Sequence, residues 1–386
     1  MSPYIYLDNN ATTPLDEDVY SEMKNSLKNQ YGNPSSQYDL GMNAKRSIQD
    51  ARNTLARFLH AEPKQIIFTS GATESNSTAV IGYCLKNKSK NHIISSAIEH
   101  PAILEACKFL QINHGFEVSY LPVNESGIVK FDQLKSLITS KTSLITVMMV
   151  NNEVGTIQPI KEIGDLCREL DIYFHCDAVQ AAGKLPINVK ELNVNSLSLS
   201  AHKIYGPKGV GCLYVKDKNQ MHPLLHGGSQ EMGFRSGTEN VPGIVGFGQA
   251  VDRLIKNWED DLHKITFLRE KFINGLNEHL TDWSINGSYT VPSTLSLSID
   301  GIRGEALAYA LSQMGIFVSI ASACSSSSPK LSHVLKAMNK SDEKIRSTIR
   351  VSFGKQNTVH EMEKAVSILV MTSSKLRSFS PKFAAV

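Results

Sequence analysis

The sequence predicts an α/β protein in two parts: a large domain on a mostly parallel sheet, then a smaller α+β domain. Three observations predict it. Short β-branched or apolar runs alternate with segments of helical spacing through roughly the first 250 residues. The pattern changes at 251, where one long helix-like stretch begins and strands and helices then interleave. A chain of 386 residues is also long enough to divide between two cores.

Taken in order, "QIIFTS" (65–70) reads as a strand before the helix-like "ATESNSTAVIGYCL", and "HIISS" (92–96) as a strand before "HPAILEACKFLQ". "SLITVMMV" (143–150) leads through a loop to the helical "IKEIGDLCREL", and "IYFHCDA" (172–178) and "SLSLS" (196–200) follow as strands. Strands alternating with helices imply a sheet covered on both faces, with ligands bound at the carboxyl ends of its strands. In the second part, "VDRLIKNWEDDLHKITFLREKFINGLNEHL" is the long helix, with strands at "TLSLSI" (294–299), "IFVSI" (316–320) and "TIRVSFG" (348–354).

Forty basic against thirty-seven acidic residues leave a charge of +3, which argues against a nucleic-acid surface. No apolar run approaches the roughly 20 residues of a membrane helix, and the chain opens on "YIYLDNN" without a leader, so a cytoplasmic protein is expected. The six cysteines form no C-x-x-C pair, which points to free thiols and to no metal site.

The chemistry-bearing residues fall at the ends of the predicted strands. In "SLSAHKIYGPKGVG" (197–210), Lys203 follows a strand between Ser200, His202 and a glycine-rich turn. It reads either as a solvent-facing turn lysine or as an amine that bonds a carbonyl cofactor. In "HCDAVQ" (175–180), Asp177 suits a pyridine nitrogen and Gln180 a phenolic oxygen, although a helix-capping aspartate has the same pattern. "TSGATESN" (69–76) places Ala72 and Thr73 at a helix start, where backbone N–H groups bind anions, and Ser200 and His202 add donors. His100 in "IEHPA" suits stacking on a flat ring and proton exchange; Asn152 in "VNNEVG" suits a substrate carboxylate or the ring oxygen. Together they form a complete set for pyridoxal 5′-phosphate. A lone thiol, Cys324, stands in "ASACSSSS" (321–328) among small residues.

These motifs, with "YLDNNATTP" (6–14), "YGNPSS" (31–36), "RSGTEN" (235–240) and "SAC" (322–324), resemble the NifS/IscS-like cysteine desulfurases of the class V aminotransferase fold over nearly the whole chain. The resemblance implies the PLP-dependent transferase fold type I, with a mostly parallel seven-stranded sheet in a large domain (15–250). Residues 1–14 with 251–386 would then form the small domain carrying the cysteine loop. It implies Lys203 as the Schiff-base lysine, His100 as a proton-transfer group and Cys324 as the nucleophile that takes sulfur from L-cysteine. Asp177, Gln180, Ala72, Thr73, Ser200 and His202 would bind the cofactor, with Asn152 orienting cofactor and substrate. Arg350 in "IRVSFG" would hold the substrate carboxylate, as a planar bidentate cation does well. Thr238 would complete the phosphate site of a neighbouring subunit, so a homodimer is expected, with a transient iron–sulfur scaffold or another acceptor taking the sulfur. Ser229 in "HGGSQE" and Ala321 in "IASAC" replace glycines of the family pattern. A selenocysteine lyase, another lyase or aminotransferase on this fold, and a non-catalytic binding module are the rival readings.

Overall fold

The computed structural model describes residues 4–320 and 331–379. The first strand, β1 (Ile5–Tyr6), runs away from the large sheet and pairs in parallel with β11 (Ile316–Phe317). The large sheet takes its seven strands from the next part of the chain: β2 (Ile66–Thr69), β3 (His92–Ser96), β4 (Glu117–Leu121), β5 (Thr142–Thr146), β6 (Tyr173–Asp177), β7 (Ser196–Ser200) and β8 (Gly211–Val215). Their spatial order is β2-β8-β7-β6-β5-β3-β4. All neighbours are parallel except at β8, which runs antiparallel to both β2 and β7. Most of these strands are buried at every residue, as a sheet covered by helices on both faces requires.

Two strands of this sheet carry weak signals in the sequence. "EVSYL" (β4) alternates at an exposed sheet edge, and "GCLYV" (β8) follows the glycine turn that absorbs the change of direction. The run 143–150 ends its strand at Thr146; Val147 to Val150 continue as buried non-ladder backbone, with Val150 bridged to Ile157. The run 316–320 divides between two sheets, because β12 (Ser319–Ile320) pairs with a different partner from β11.

A second sheet of four antiparallel strands has the order β12-β13-β10-β9, with β9 at Trp283–Asn286, β10 at Thr294–Ile299 and β13 at Thr348–Ser352. Its core includes Phe272, Leu295, Leu297, Ile349, Val351 and Phe353. A helix at Val241–His279 links the two cores. Its first half is buried by the large sheet's helices and its second half by the small core, and it passes position 250 without a break. Asn240 caps it by accepting from the Gly243 amide, with proline in the first turn. The thiols of Cys84, Cys107, Cys167, Cys176 and Cys212 are free and buried as small core residues.

Candidate active site

A cavity of about 610 Å³ opens at the carboxyl ends of β2, β6 and β7, where it meets the N-terminal segment and the small sheet. Its lining includes Ala72, Thr73, His100, Asn152, Asp177 and Gln180, and also Ser200, His202, Lys203 and Arg350. Ten residues singled out from sequence thus share one space.

The floor is built from β6. Asp177 ends that strand, and its Oδ1 accepts from the Val179 amide at 3.0 Å. Asp177 is buried and turns, not a helix, follow it, so it is not the solvent-facing helix cap of the plain reading. Its Oδ2 accepts from Asn76 Nδ2 at 2.7 Å, and Asn76 Oδ1 lies 3.0 Å from His175 Nε2. His175 Nδ1 lies 2.8 Å from Ser196 Oγ. Burial pushes the His175 imidazole down to about 3, so it stays neutral. The Asn76 amide donates to Asp177 and must accept from His175, which places the histidine proton on Nε2. Three buried side chains, Asn76, His175 and Ser196, therefore hold one carboxylate in place.

The anion cradle begins at Gly71, which precedes a helix at Ala72–Ser77 that continues to Lys86 through a wider turn. Glu74 closes the loop, accepting from the Ser70 amide at 2.7 Å and pairing with Arg235 Nε at 2.9 Å. A Cβ on Gly211 would stand 2.7 Å from Gly71 Cα, so glycine there lets the cradle lie against the sheet. His202 adds a ring whose Nδ1 is 3.1 Å from Thr12 Oγ1. Burial, with Lys203 and Lys208 nearby, lowers its pKa to about 4. Its ring is therefore neutral near neutral pH.

Lys203 follows β7 in a short turn (Ala201–Lys203), and its Nζ donates to the carbonyls of Asn10 and Ala11 at 2.6 and 2.7 Å. His100 caps the helix at Pro101–His114, its Nδ1 accepting from the Ala102 amide at 3.2 Å. The neutral ring therefore carries its proton on Nε2, and burial holds its pKa below the ordinary histidine value. Arg350 sits on β13 between Ser296 and Ser319. It donates from Nη1 to the Asn152 carbonyl at 3.0 Å and from Nη2 to Asp8 Oδ1 at 2.7 Å. Its buried Nε has no acceptor among the described residues.

Cys324 lies outside the described residues. Both flanks of its segment border the site. On one side Ile320 pairs with Ile349, next to Arg350. On the other, Ser332 Oγ donates to Glu153 Oε2, and His333 Nε2 bonds the Glu99 carbonyl at 3.0 Å. Thr238 is not part of this lining. It lines an adjoining space of about 180 Å³ with Thr69, Ser70, Gly209 and Arg235. Asp8, Asn10 and Asn76 line the cavity, Glu99 is buried near Asp177, and none of the four was singled out. Each stands inside or beside a quoted motif, but only its tertiary partners assign it a task.

A family model for class-V aminotransferases matches residues 5–365. The chain belongs to that family. Within it, the chain is 45% identical over 385 residues to a protein named cysteine desulfurase IscS from Dictyoglomus turgidum, covering 99% of this chain and 97% of that one. A solved NifS-like protein superposes with a TM-score of 0.91 at 38% identity, covering 97% of this chain and all of the other. A structure described as SspA in complex with cysteine gives 0.83 at 38% identity, over 92% of this chain and all of the other.

The family works with pyridoxal 5′-phosphate, and the residues present fit it. The cavity has a carboxylate held by Asn76, an amine in Lys203, and an anion cradle of helix N–H groups with neutral His202. Among the described residues no three His, Cys, Asp or Glu side chains converge as a metal site, and no helix is long and apolar enough to cross a membrane.

Proposed function

We propose that the chain is a cysteine desulfurase: L-cysteine and the Cys324 thiol are converted to L-alanine and a Cys324 persulfide. One observation carries the reading. The cavity that holds the cofactor-type groups Lys203 and Asp177 also holds Arg350, a guanidinium suited to an amino acid's carboxylate. The names and near full-length similarity of the relatives support it.

The cofactor, when bound, acts as the electron sink for the substrate's α-carbon. Asp177 keeps the ring nitrogen protonated, and the cradle at Ala72 and Thr73 with Ser200 and His202 binds the phosphate. Arg350 and Asn152 orient the substrate by its carboxylate. Lys203, as a neutral amine, accepts the α-proton at Nζ. The His100 ring holds and returns a proton at Nε2 above the substrate. The Cys324 thiolate attacks the substrate sulfur: the S–S bond forms, the substrate C–S bond breaks, and its electron pair stays with the carbon that becomes the alanine methyl group.

We assign residues 15–250 to the large domain and 1–14 with 251–386 to the small one. The working form is a homodimer in which Thr238 completes the phosphate site of the neighbouring subunit, as the family resemblance implies. The persulfide passes to an iron–sulfur scaffold or another acceptor protein. A reducing cytoplasm suits both this chemistry and the five free buried thiols.

The test is direct. The purified protein with L-cysteine and a thiol reductant should release sulfide and alanine in equal amounts. Cys324→Ser should abolish the sulfide. Pyruvate or a keto acid as the main product would replace this reading with another lyase or an aminotransferase. Sulfide release at the parent rate by Cys324→Ser would remove the assignment of the nucleophile.

A further inference from the structure

Lys184 lies four residues after Gln180 in the turns that follow β6, outside the cofactor cavity. It lines a separate space of about 50 Å³ behind it, and Asn10 and Lys203 form the wall shared by the two spaces. The residue is partly buried, and burial with Lys203 and Arg350 nearby lowers its pKa to about 7. It makes no ion pair among the described residues; Asp16, in the same small space, is paired with Lys355. Nζ instead donates to Gln180 Oε1 at 2.7 Å and to Asn10 Oδ1 at 3.4 Å. A partly buried lysine without a carboxylate partner gains little stability from its position.

Gln180 is gripped at both ends. Its Nε2 donates to the Asn10 carbonyl at 3.0 Å, while its Oε1 accepts from Lys184. A main-chain carbonyl only accepts, so Nε2 must face Asn10 and Oε1 must face the Lys184 amine, which donates to it. Turning the amide over would face oxygen to oxygen and N–H to N–H at both ends. The orientation is therefore determined, and the amide's second N–H is left without a protein acceptor among the described residues, on a side chain that lines the cavity.

We propose that Lys184 is a positioning residue: by holding Gln180 Oε1 from behind, it commits the amide's N–H to the cofactor cavity, where it donates to the phenolic oxygen of pyridoxal phosphate. This rests on the reading of Gln180 as the donor to that oxygen. Lys184 touches neither cofactor nor substrate and acts through Gln180. Its role lies in how the cofactor is held before any substrate arrives.

The test uses binding and spectroscopy on the full-length protein without substrate. The apoprotein is titrated with pyridoxal phosphate, and the absorbance of the loaded protein is followed against pH. Lys184→Met should weaken cofactor binding roughly three- to tenfold, as expected for a buried acceptor left unmatched. It should also shift the pH midpoint of the absorbance change. Lys184→Arg, still an obligate donor, should restore most of both. Gln180→Ala should give shifts of similar size, and Lys184→Met added to Gln180→Ala should change nothing further. If Lys184→Met does not fold, Lys184→Gln takes its place in the cycle. An undiminished Lys184 effect in the Gln180→Ala background would mean that its charge acts directly on Lys203, and would overturn the proposal. So would parent-like binding and midpoint in the Lys184 variant while Gln180→Ala is impaired. Parent-like behaviour of Gln180→Ala itself would instead remove the underlying reading of Gln180.

Discussion

Arg350 on the small sheet and Asp8 in the N-terminal segment form a buried ion pair, Nη2 to Oδ1 at 2.7 Å. The segment after Asp8 also accepts the Lys203 ammonium, through the carbonyls of Asn10 and Ala11. A few residues near the start of the chain thus tie the lysine of the large sheet to the arginine of the small one. For substrate binding, the fork geometry of Arg350 matters more than its charge. Arg350→Lys should raise KM for L-cysteine by about tenfold or more while kcat falls less. Steady-state kinetics decide this; an unchanged KM would assign the substrate carboxylate elsewhere.

Asn76 is the link between Asp177 and His175, at 2.7 and 3.0 Å. Asn76→Ala removes the donor to Asp177 Oδ2 and leaves His175 Nε2 without its acceptor. The expected cost is about 1–3 kcal/mol of stability, with weaker retention of pyridoxal phosphate on dialysis. Thermal unfolding with and without cofactor separates the two effects. Cofactor retention equal to the parent's would show that Asp177 does not need this support.

Glu99 is fully buried beneath the site, and desolvation raises its pKa to about 8. Its Oε1 accepts from Ser96 Oγ and the Met148 amide, while Oε2 has no partner among the described residues. A folded pKa raised above the unfolded value of 4.5 means that the native state holds the proton longer than the unfolded chain does. Stability from this group is complete below the unfolded value and is lost as pH rises through the folded one, by at most about 1.4 kcal/mol per pH unit. Glu153, raised to about 7 by burial, adds the same sign. His175 and His202, both depressed, act in the opposite sense at lower pH. The difference between parent and Glu99→Gln isolates the effect. Melting temperatures should diverge between pH 5 and 8.5, with the parent losing ground as pH rises; parallel curves would contradict a protonated Glu99.

Arg52 and Glu231 form a second buried pair, with Nη1 and Nη2 at 2.8 and 2.7 Å from the two carboxylate oxygens. Glu231 also accepts from the Phe68 amide and Arg52 donates to the Ile66 carbonyl, so the pair fastens β2 just before the anion cradle. Breaking it by Arg52→Met leaves a buried carboxylate alone, at a cost of about 3–5 kcal/mol. Chemical denaturation measures the loss directly. A loss below about 1 kcal/mol would mean that water replaces the arginine.

Much of the fold is legible in the sequence. "HIISS", "SLSLS" and "TLSLSI" are strands at their expected limits, because short buried β-branched and apolar runs have few other ways to satisfy their backbone. The edge strand β4 and the reversed strand β8 are less legible. Edge exposure blurs the apolar pattern of β4, and strand direction has no local signal at all. Within the site, Lys203, Asp177, Gln180, His100, Asn152 and the cradle residues are marked by type and by position at strand ends, while Arg350, in the middle of its strand, is marked only by the family resemblance. Asn76, Glu99, Asp8 and Lys184 are ordinary residues until their partners are seen.

The sequence by itself determined the alternation of strand and helix, the chemistry-bearing side chains and the membership of a family, because each resides in local pattern and residue type. Only the tertiary structure decided that Arg350 and Lys203 face one cavity from different sheets, that Asn76 donates to Asp177, and that Lys184 donates to the Gln180 amide oxygen. Hydrogen-bond direction and burial arise between segments 101 to 198 residues apart in cases such as Asn76–Asp177 and Asn152–Arg350. Nothing in the local sequence encodes a contact that only the closed chain creates.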